Sequence, residues 1–212
     1  MSLAAYPHFF LPGVDAAAPP LLLLHGTGGD EHDLVPLGRE LSAGSALLAP
    51  RGDVLEHGAR RFFRRFAEGV FDLDDVRRRT RALAGFVSAA AAHYHFDAAR
   101  LVAVGFSNGA NMAAALLQVR PESLAGAVLF RAMVVLDEPA PAGSLAGKRV
   151  LLVGGTRDPV VPGDHPPRLA ALLRAGGADV TVQMHAAGHG LVPEDLAAAR
   201  TWLAGGARRP RA

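Results

Sequence analysis

The sequence predicts a single α/β domain built on a mainly parallel sheet with helices on both faces. Three observations carry that expectation. Short, uninterrupted apolar runs recur along the chain, among them residues 21–24, 126–130 and 149–153, and read as strands buried on both faces of a sheet. Segments of helical periodicity alternate with these runs, as expected when parallel strands are joined by crossover helices. The 212 residues, half of them apolar, suffice for one sizeable core and are too few for two comfortable domains.

The elements follow in order. Residues 5–11 read as a first, edge strand, because Pro7 is tolerated only at an edge or a strand start. Residues 12–20 are a Pro- and Ala-rich linker into the buried strand 21–24. A short helix at 33–41 leads to a further buried strand at 46–50. From 54 to 71 periodicity is lost, and Phe62, Phe63, Phe66 and Phe71 stand among arginines; this stretch is expected to be a long irregular loop whose aromatics either form a binding wall at the strand end or pin the loop to the core. Residues 72–95 form one long amphipathic helix with Val76, Leu83, Phe86, Val87 and Ala90 facing inward. The apolar run from Leu101 is the next strand and 110–118 the helix after it. Strands at 126–130, 149–153 and 179–184 and helices at 165–175 and 191–203 complete the pattern. The connection 136–148 is too short for a helical cap, so an open, shallow pocket is expected. Residues 207–212 are expected to fray.

Composition narrows the chemistry. The chain has no cysteine, which excludes disulfides, a thiol nucleophile and thiolate metal sites, and fits a reducing cytoplasmic setting. No apolar run reaches the roughly 20 residues of a membrane span, so neither a membrane anchor nor export is expected. The formal charge is +2, and Lys148 is the sole lysine. Arginines cluster at Arg60, Arg61, Arg64 and Arg65, at Arg77 to Arg79 with Arg81, and at Arg208, Arg209 and Arg211. Asp72, Asp74 and Asp75 precede the second cluster, a placement that suits the dipole of a solvated helix. With no DNA- or RNA-binding motif beside these charges, nucleic acid is not an expected partner.

Three strand ends carry the candidate chemistry. Gly105-Phe106-Ser107-Asn108-Gly109 lies between a strand and a helix, the setting of the nucleophile elbow of α/β-hydrolases, in which a serine stands on a sharp turn. The glycines are needed because strand and helix approach too closely there for side chains. His25-Gly26-Thr27-Gly28-Gly29-Asp30 follows the strand 21–24. A dinucleotide fingerprint would need a third glycine where Glu31 stands, so the loop reads instead as an oxyanion loop, with the backbone N–H of Thr27 as donor, or as a bare glycine turn. A serine hydroxyl needs a base, itself oriented by a carboxylate. Asp158 follows a strand directly, whereas its rival Asp164 is better placed as a helix cap. His189 sits between two glycines after the last strand. His185, nearer that strand, is expected to pack or hydrogen-bond locally, and His8, His32, His57, His93, His95 and His165 are assigned no role. The chain order Ser107, Asp158, His189 is that of α/β-hydrolase triads.

These motifs, together with Gly155-Thr156-Arg157-Asp158-Pro159-Val160-Val161-Pro162 and Gly188-His189-Gly190, resemble the phospholipase/carboxylesterase family of small α/β-hydrolases, over about residues 20–203. The resemblance implies a capless serine esterase or thioesterase: nucleophile Ser107, acid Asp158, base His189, and oxyanion N–H groups from Thr27 and Asn108. Residues 61–71 further resemble a bacterial branch of that family, some members of which are linked to quinone or aromatic-compound resistance. Where acyl-protein thioesterases have glutamine after the serine, this chain has Asn108, which argues against transferring their protein substrate. The expected function is hydrolysis of short-chain or small aromatic esters through an acyl-enzyme, without metal or cofactor. The rivals are a lysophospholipase or acyl-protein thioesterase, and a non-catalytic binding protein on the same fold. Phe62, Phe63, Arg64 and Arg131 are the expected substrate contacts, the last two for an anionic group. Whether the chain acts alone or as a homodimer is open.

Overall fold

The computed structural model describes Leu3 and residues 6–206. Its core is a seven-stranded sheet in the order β1-β3-β2-β8-β9-β10-β11. The strands are β1 (His8–Leu11), β2 (Leu21–Leu24), β3 (Leu47–Pro50), β8 (Val102–Phe106), β9 (Gly126–Phe130), β10 (Arg149–Gly155) and β11 (Asp179–His185). Only β1 runs antiparallel, pairing with β3 at the sheet edge, where Pro7 costs no ladder bond. The neighbouring pairs from β3 to β11 are parallel.

Residue alternation along these strands feeds two cores. Leu22, Leu24, Leu48, Ala103, Leu129 and Leu152 face the side covered by α2 (Leu73–Tyr94), α3 (Asn108–Val119) and α4 (His165–Ala175). Leu21, Leu23, Leu47, Val104, Val128 and Leu151 face α1 (Val35–Leu41) and α5 (Pro193–Gly206). Burial on both faces is why the strands read as continuous apolar runs. The long helix starts where its acidic cluster predicts: Asp72 is the N-cap, its carboxylate accepting from the Asp75 N–H at 3.0 Å.

The chain steps from β2 outward to β3 and then returns across β2 to β8. This reversal opens a crevice beyond the carboxyl ends of β2 and β8, the place where open α/β sheets bind ligands. Leu24 pairs with Gly105 there, so the two glycine-bearing turns lie side by side.

The expected irregular loop at 54–71 is two hairpins. β4 (Val54–Glu56) pairs with β5 (Ala59–Arg61), and β6 (Arg65–Ala67) with β7 (Val70–Phe71). The first turns at His57-Gly58, both with positive φ (50° and 83°), a combination that matches the twist of a tight hairpin; the second turns at Glu68-Gly69, with Gly69 at 72°. Residues 136–148 carry no cap helix. The first strand starts at His8 rather than at residue 5, which lies outside the described residues, as does the tail 207–212.

Candidate active site

Ser107 occupies the sharp turn between β8 and α3, with φ 51° and ψ −115°, a backbone conformation that L-residues rarely adopt. The turn is possible because two glycines leave no Cβ: one on Gly105 would lie 2.6 Å from the Ala110 nitrogen, and one on Gly109 1.9 Å from the Leu24 carbonyl oxygen. The Ser107 N–H donates to the Phe130 carbonyl at 2.9 Å, tying the turn to the end of β9.

The structure brings Ser107, His189 and Asp158 together. Ser107 Oγ lies 3.0 Å from His189 Nε2, and His189 Nδ1 lies 2.9 and 3.1 Å from the two carboxylate oxygens of Asp158. An ionised carboxylate only accepts, so Nδ1 carries the proton and Nε2 offers its lone pair to the serine hydroxyl. Asp158 is buried, which raises its pKa, but N–H bonds from Val160 (2.8 Å) and Val161 (3.1 Å) and the imidazole outweigh that penalty and hold it below the usual carboxylate range. The ring of Phe106 stacks obliquely on His189 at 5.3 Å.

The rivals are placed elsewhere. His185 Nδ1 lies 2.6 Å from Asp195, away from the serine. Asp164 stands at the N-cap position of α4 without a capping bond, and its carboxylate pairs with Arg168 instead.

Two backbone N–H groups remain open beside the serine. Asn108 is the first residue of α3, where an N–H has no intrahelical acceptor. His25 is buried; its Nδ1 donates to the Gly26 carbonyl at 2.6 Å and its Nε2 accepts the Gly52 N–H at 2.9 Å. Burial lowers the His25 pKa and so favours this neutral form. Because a trans peptide is planar, holding the Gly26 carbonyl toward His25 turns the Thr27 N–H the opposite way. Among the described residues neither N–H has an internal acceptor. The Thr27 hydroxyl accepts from buried Arg61 at 2.8 Å, and the Arg51–Glu31 pair, joined by two bonds, secures the loop to the end of β3.

The cleft above Ser107 is small, about 20 Å³, with Thr27, Arg61, Arg65, Glu68, Phe71, Asn108, Asn111, Arg131, Met133 and Val160 around it. A hollow of about 250 Å³ at the opposite ends of the strands, beside Arg100, Arg149 and Trp202, is larger but holds none of these groups. No group of three or more His, Cys, Asp or Glu residues arranged for a metal ion occurs among the described residues.

The expected substrate contacts need correction. Phe62 and Phe63 are fully buried beneath the hairpins, where they pack with His25 and Phe71. Arg64 points to solvent and pairs with Asp72. Arg131 does border the cleft, but its guanidinium is wholly buried and paired with Asp195. Beside Arg131, the cleft walls come from Arg61, Arg65, Glu68 and Phe71 of the same hairpins and from Thr27, Asn111, Met133 and Val160. Asn111 was readable from its helical spacing: four residues after Ser107, it lies on the same face of α3.

Comparison with known proteins agrees with this architecture. Residues 44–201 match the dienelactone hydrolase family. The Bacillus subtilis (strain 168) protein called "Putative hydrolase MhqD" is 43% identical over 182 residues, covering 86% of this chain and 90% of that protein. The crystal structure of the Bacillus cereus carboxylesterase superposes with a TM-score of 0.92 at 43% identity, over 95% of each chain. A carboxylesterase from Mesorhizobium loti gives 0.84 at 33% identity, again over 95% of each chain. The resemblance noted in the sequence thus holds at the level of small α/β-hydrolase esterases, with a different family matched within them. The chain belongs to the dienelactone hydrolase family and is an α/β-hydrolase enzyme of the esterase kind.

Proposed function

We propose that this hydrolase is a serine carboxylesterase acting on small esters through an acyl-enzyme. The observation that carries the reading is the unbroken chain from Ser107 Oγ through His189 to Asp158, at 3.0 and 2.9 Å, beside two open N–H groups. His189 Nε2 takes the hydroxyl proton as Ser107 Oγ adds to the ester carbonyl carbon, and Asp158 stabilises the imidazolium that forms. The Thr27 and Asn108 N–H groups receive the developing oxyanion. His189 then gives its proton to the departing alkoxide as the acyl–oxygen bond breaks, and water repeats the sequence to release the acid. In this reading Arg61, Arg65 and Asn111 line the room for the rest of the ester, which favours compact substrates that carry oxygen acceptors.

The test is labelling and substitution. A fluorophosphonate should attach to Ser107, and Ser107→Ala should lose nearly all turnover on p-nitrophenyl acetate while melting cooperatively. His189→Ala should be as damaging, and Asp158→Asn somewhat less so, since the carboxylate never takes the proton. Turnover surviving in Ser107→Ala, or the label mapping elsewhere, would overturn the reading.

A further inference from the structure

The last strand poses a problem of reach. In the order β8-β9-β10-β11, the strand that precedes His189 stands three places from the strand that carries Ser107. At about 4.8 Å per strand this is roughly 14 Å, which residues 186–189 must recross over the ends of β10 and β9.

Each crossing has a built device. Over β10 it is an absence: a Cβ on Gly155 would lie 2.5 Å from the carbonyl oxygens of both Ala187 and Gly188, so the bare glycine lets the loop lie directly on the strand end. The Arg157 N–H takes the Ala187 carbonyl at 3.0 Å. Over β9 it is Arg131, the residue immediately after that strand. Its Nε donates to the Gly188 carbonyl at 3.0 Å and its Nη2 to the Gly190 carbonyl at 2.9 Å, the two peptide oxygens on either side of His189. The same guanidinium pairs with Asp195 at 2.6 Å, and both side chains are wholly buried. Asp195 lies in the first turn of α5 and also accepts the Val192 N–H at 2.9 Å and faces His185 Nδ1 at 2.6 Å. One carboxylate therefore joins both ends of the loop to the arginine in its middle. Arg131 holds a positive φ of 56°, a strained backbone that persists only where surrounding contacts over-determine it.

We infer that Arg131, held by Asp195, is a positioning residue that clamps the loop at Gly188 and Gly190 and so sets His189 over Ser107. A planar guanidinium can hold two carbonyls and a carboxylate at fixed angles, which the point charge of an ammonium cannot do. The inference rests on His189 being the base, and the experiment separates the two. Arg131→Lys should fold and should lower kcat/KM for p-nitrophenyl acetate by about 100-fold, the scale of a misplacement near 1 Å, chiefly through kcat. In a His189→Ala background the same substitution should change the residual rate by less than about threefold, because a residue acting only through the imidazole has nothing left to act on. Asp195→Asn keeps the shape, removes the counter-charge and carries the same pair of expectations, so failure of one variant to fold leaves the other to decide. Equal losses in both backgrounds would overturn the clamp in favour of a general structural role, as would full activity in Arg131→Lys. Parental activity in His189→Ala would instead overturn the assignment of the base.

Discussion

At Ser107, conformation and chemistry pull in opposite directions. The serine needs its φ of 51° to stand at the turn, yet that backbone is costly for any residue with a Cβ. Ser107→Gly should therefore be inactive but more stable than Ser107→Ala by about 1 kcal/mol, the relief of strain being partly offset by the greater freedom of glycine in the unfolded chain. Paired urea melts check this; an equal or lower stability for the glycine variant would argue that the turn is unstrained. Ser107, Asp158 and His189 were legible from sequence because each follows a strand and is marked by glycines or proline, so the sheet edge alone brings them close. Phe62, Phe63 and Arg64 were misplaced for a related reason, and Arg131 borders the cleft with its guanidinium turned to Asp195. Which way a side chain points is decided by pairing with distant segments, and neither the hairpin register nor the partner Asp195 can be read from neighbouring residues.

Among the elements, the two glycine-bearing turns at the ends of β2 and β8 depend on each other. Gly109→Ala would drive a methyl group into the Leu24 and His25 carbonyls, both backbone, so relaxation requires moving a strand. The expected cost is about 3 kcal/mol, the upper part of the overpacking range, together with loss of activity. Gly163→Ala, with open space at its Cβ, should be neutral when both variants are compared in urea melts. The first loop carries a pH dependence of its own. The Arg51 bonds hold Glu31 down to about 2 from an ordinary 4.5. A depressed carboxyl contributes stability that is complete above its unfolded value and disappears as pH falls through the folded one. The stability gap between the parent and Glu31→Gln should be full at about pH 6 and should close between about 4.5 and 2, as followed by urea titrations. A gap that does not narrow on acidification would show that the ion pair does not carry it. The hairpins were missed as elements because strands of two or three residues show no measurable alternation, although His57-Gly58 was a usable turn signal.

For the whole molecule, the missing cap and the small cleft make one prediction. Each methylene fully removed from water is worth about 0.8 kcal/mol, so preference for long acyl chains needs a covered channel. Here the apolar part of the walls is limited to Phe71, Met133 and Val160 among arginines, Glu68 and Asn111, while Phe66 and Val70 on the second hairpin face solvent. Specificity for p-nitrophenyl esters should rise from acetate to about hexanoate and then level or fall. A steady climb in kcat/KM to palmitate would favour a lysophospholipase or thioesterase role, with the hairpin folding over the chain. The parallel sheet was legible throughout because its strands are buried on both faces, and the absent cap because too few residues separate β9 from β10.

Helix α5 links the site to the assembly of the fold. It carries both Asp195 and Trp202, the only tryptophan in the chain, which stacks on Arg149 at the opposite end of the sheet. The groups around Ser107 come from residues as far apart as 27 and 189. Ser107, Asp158 and His189, the proposed catalytic groups, therefore come together only once segments from β8 to the loop before α5 have docked. During refolding, catalytic competence and the change in Trp202 fluorescence should appear together as this helix docks, so the appearance of turnover reports completion of the fold rather than collapse of its core.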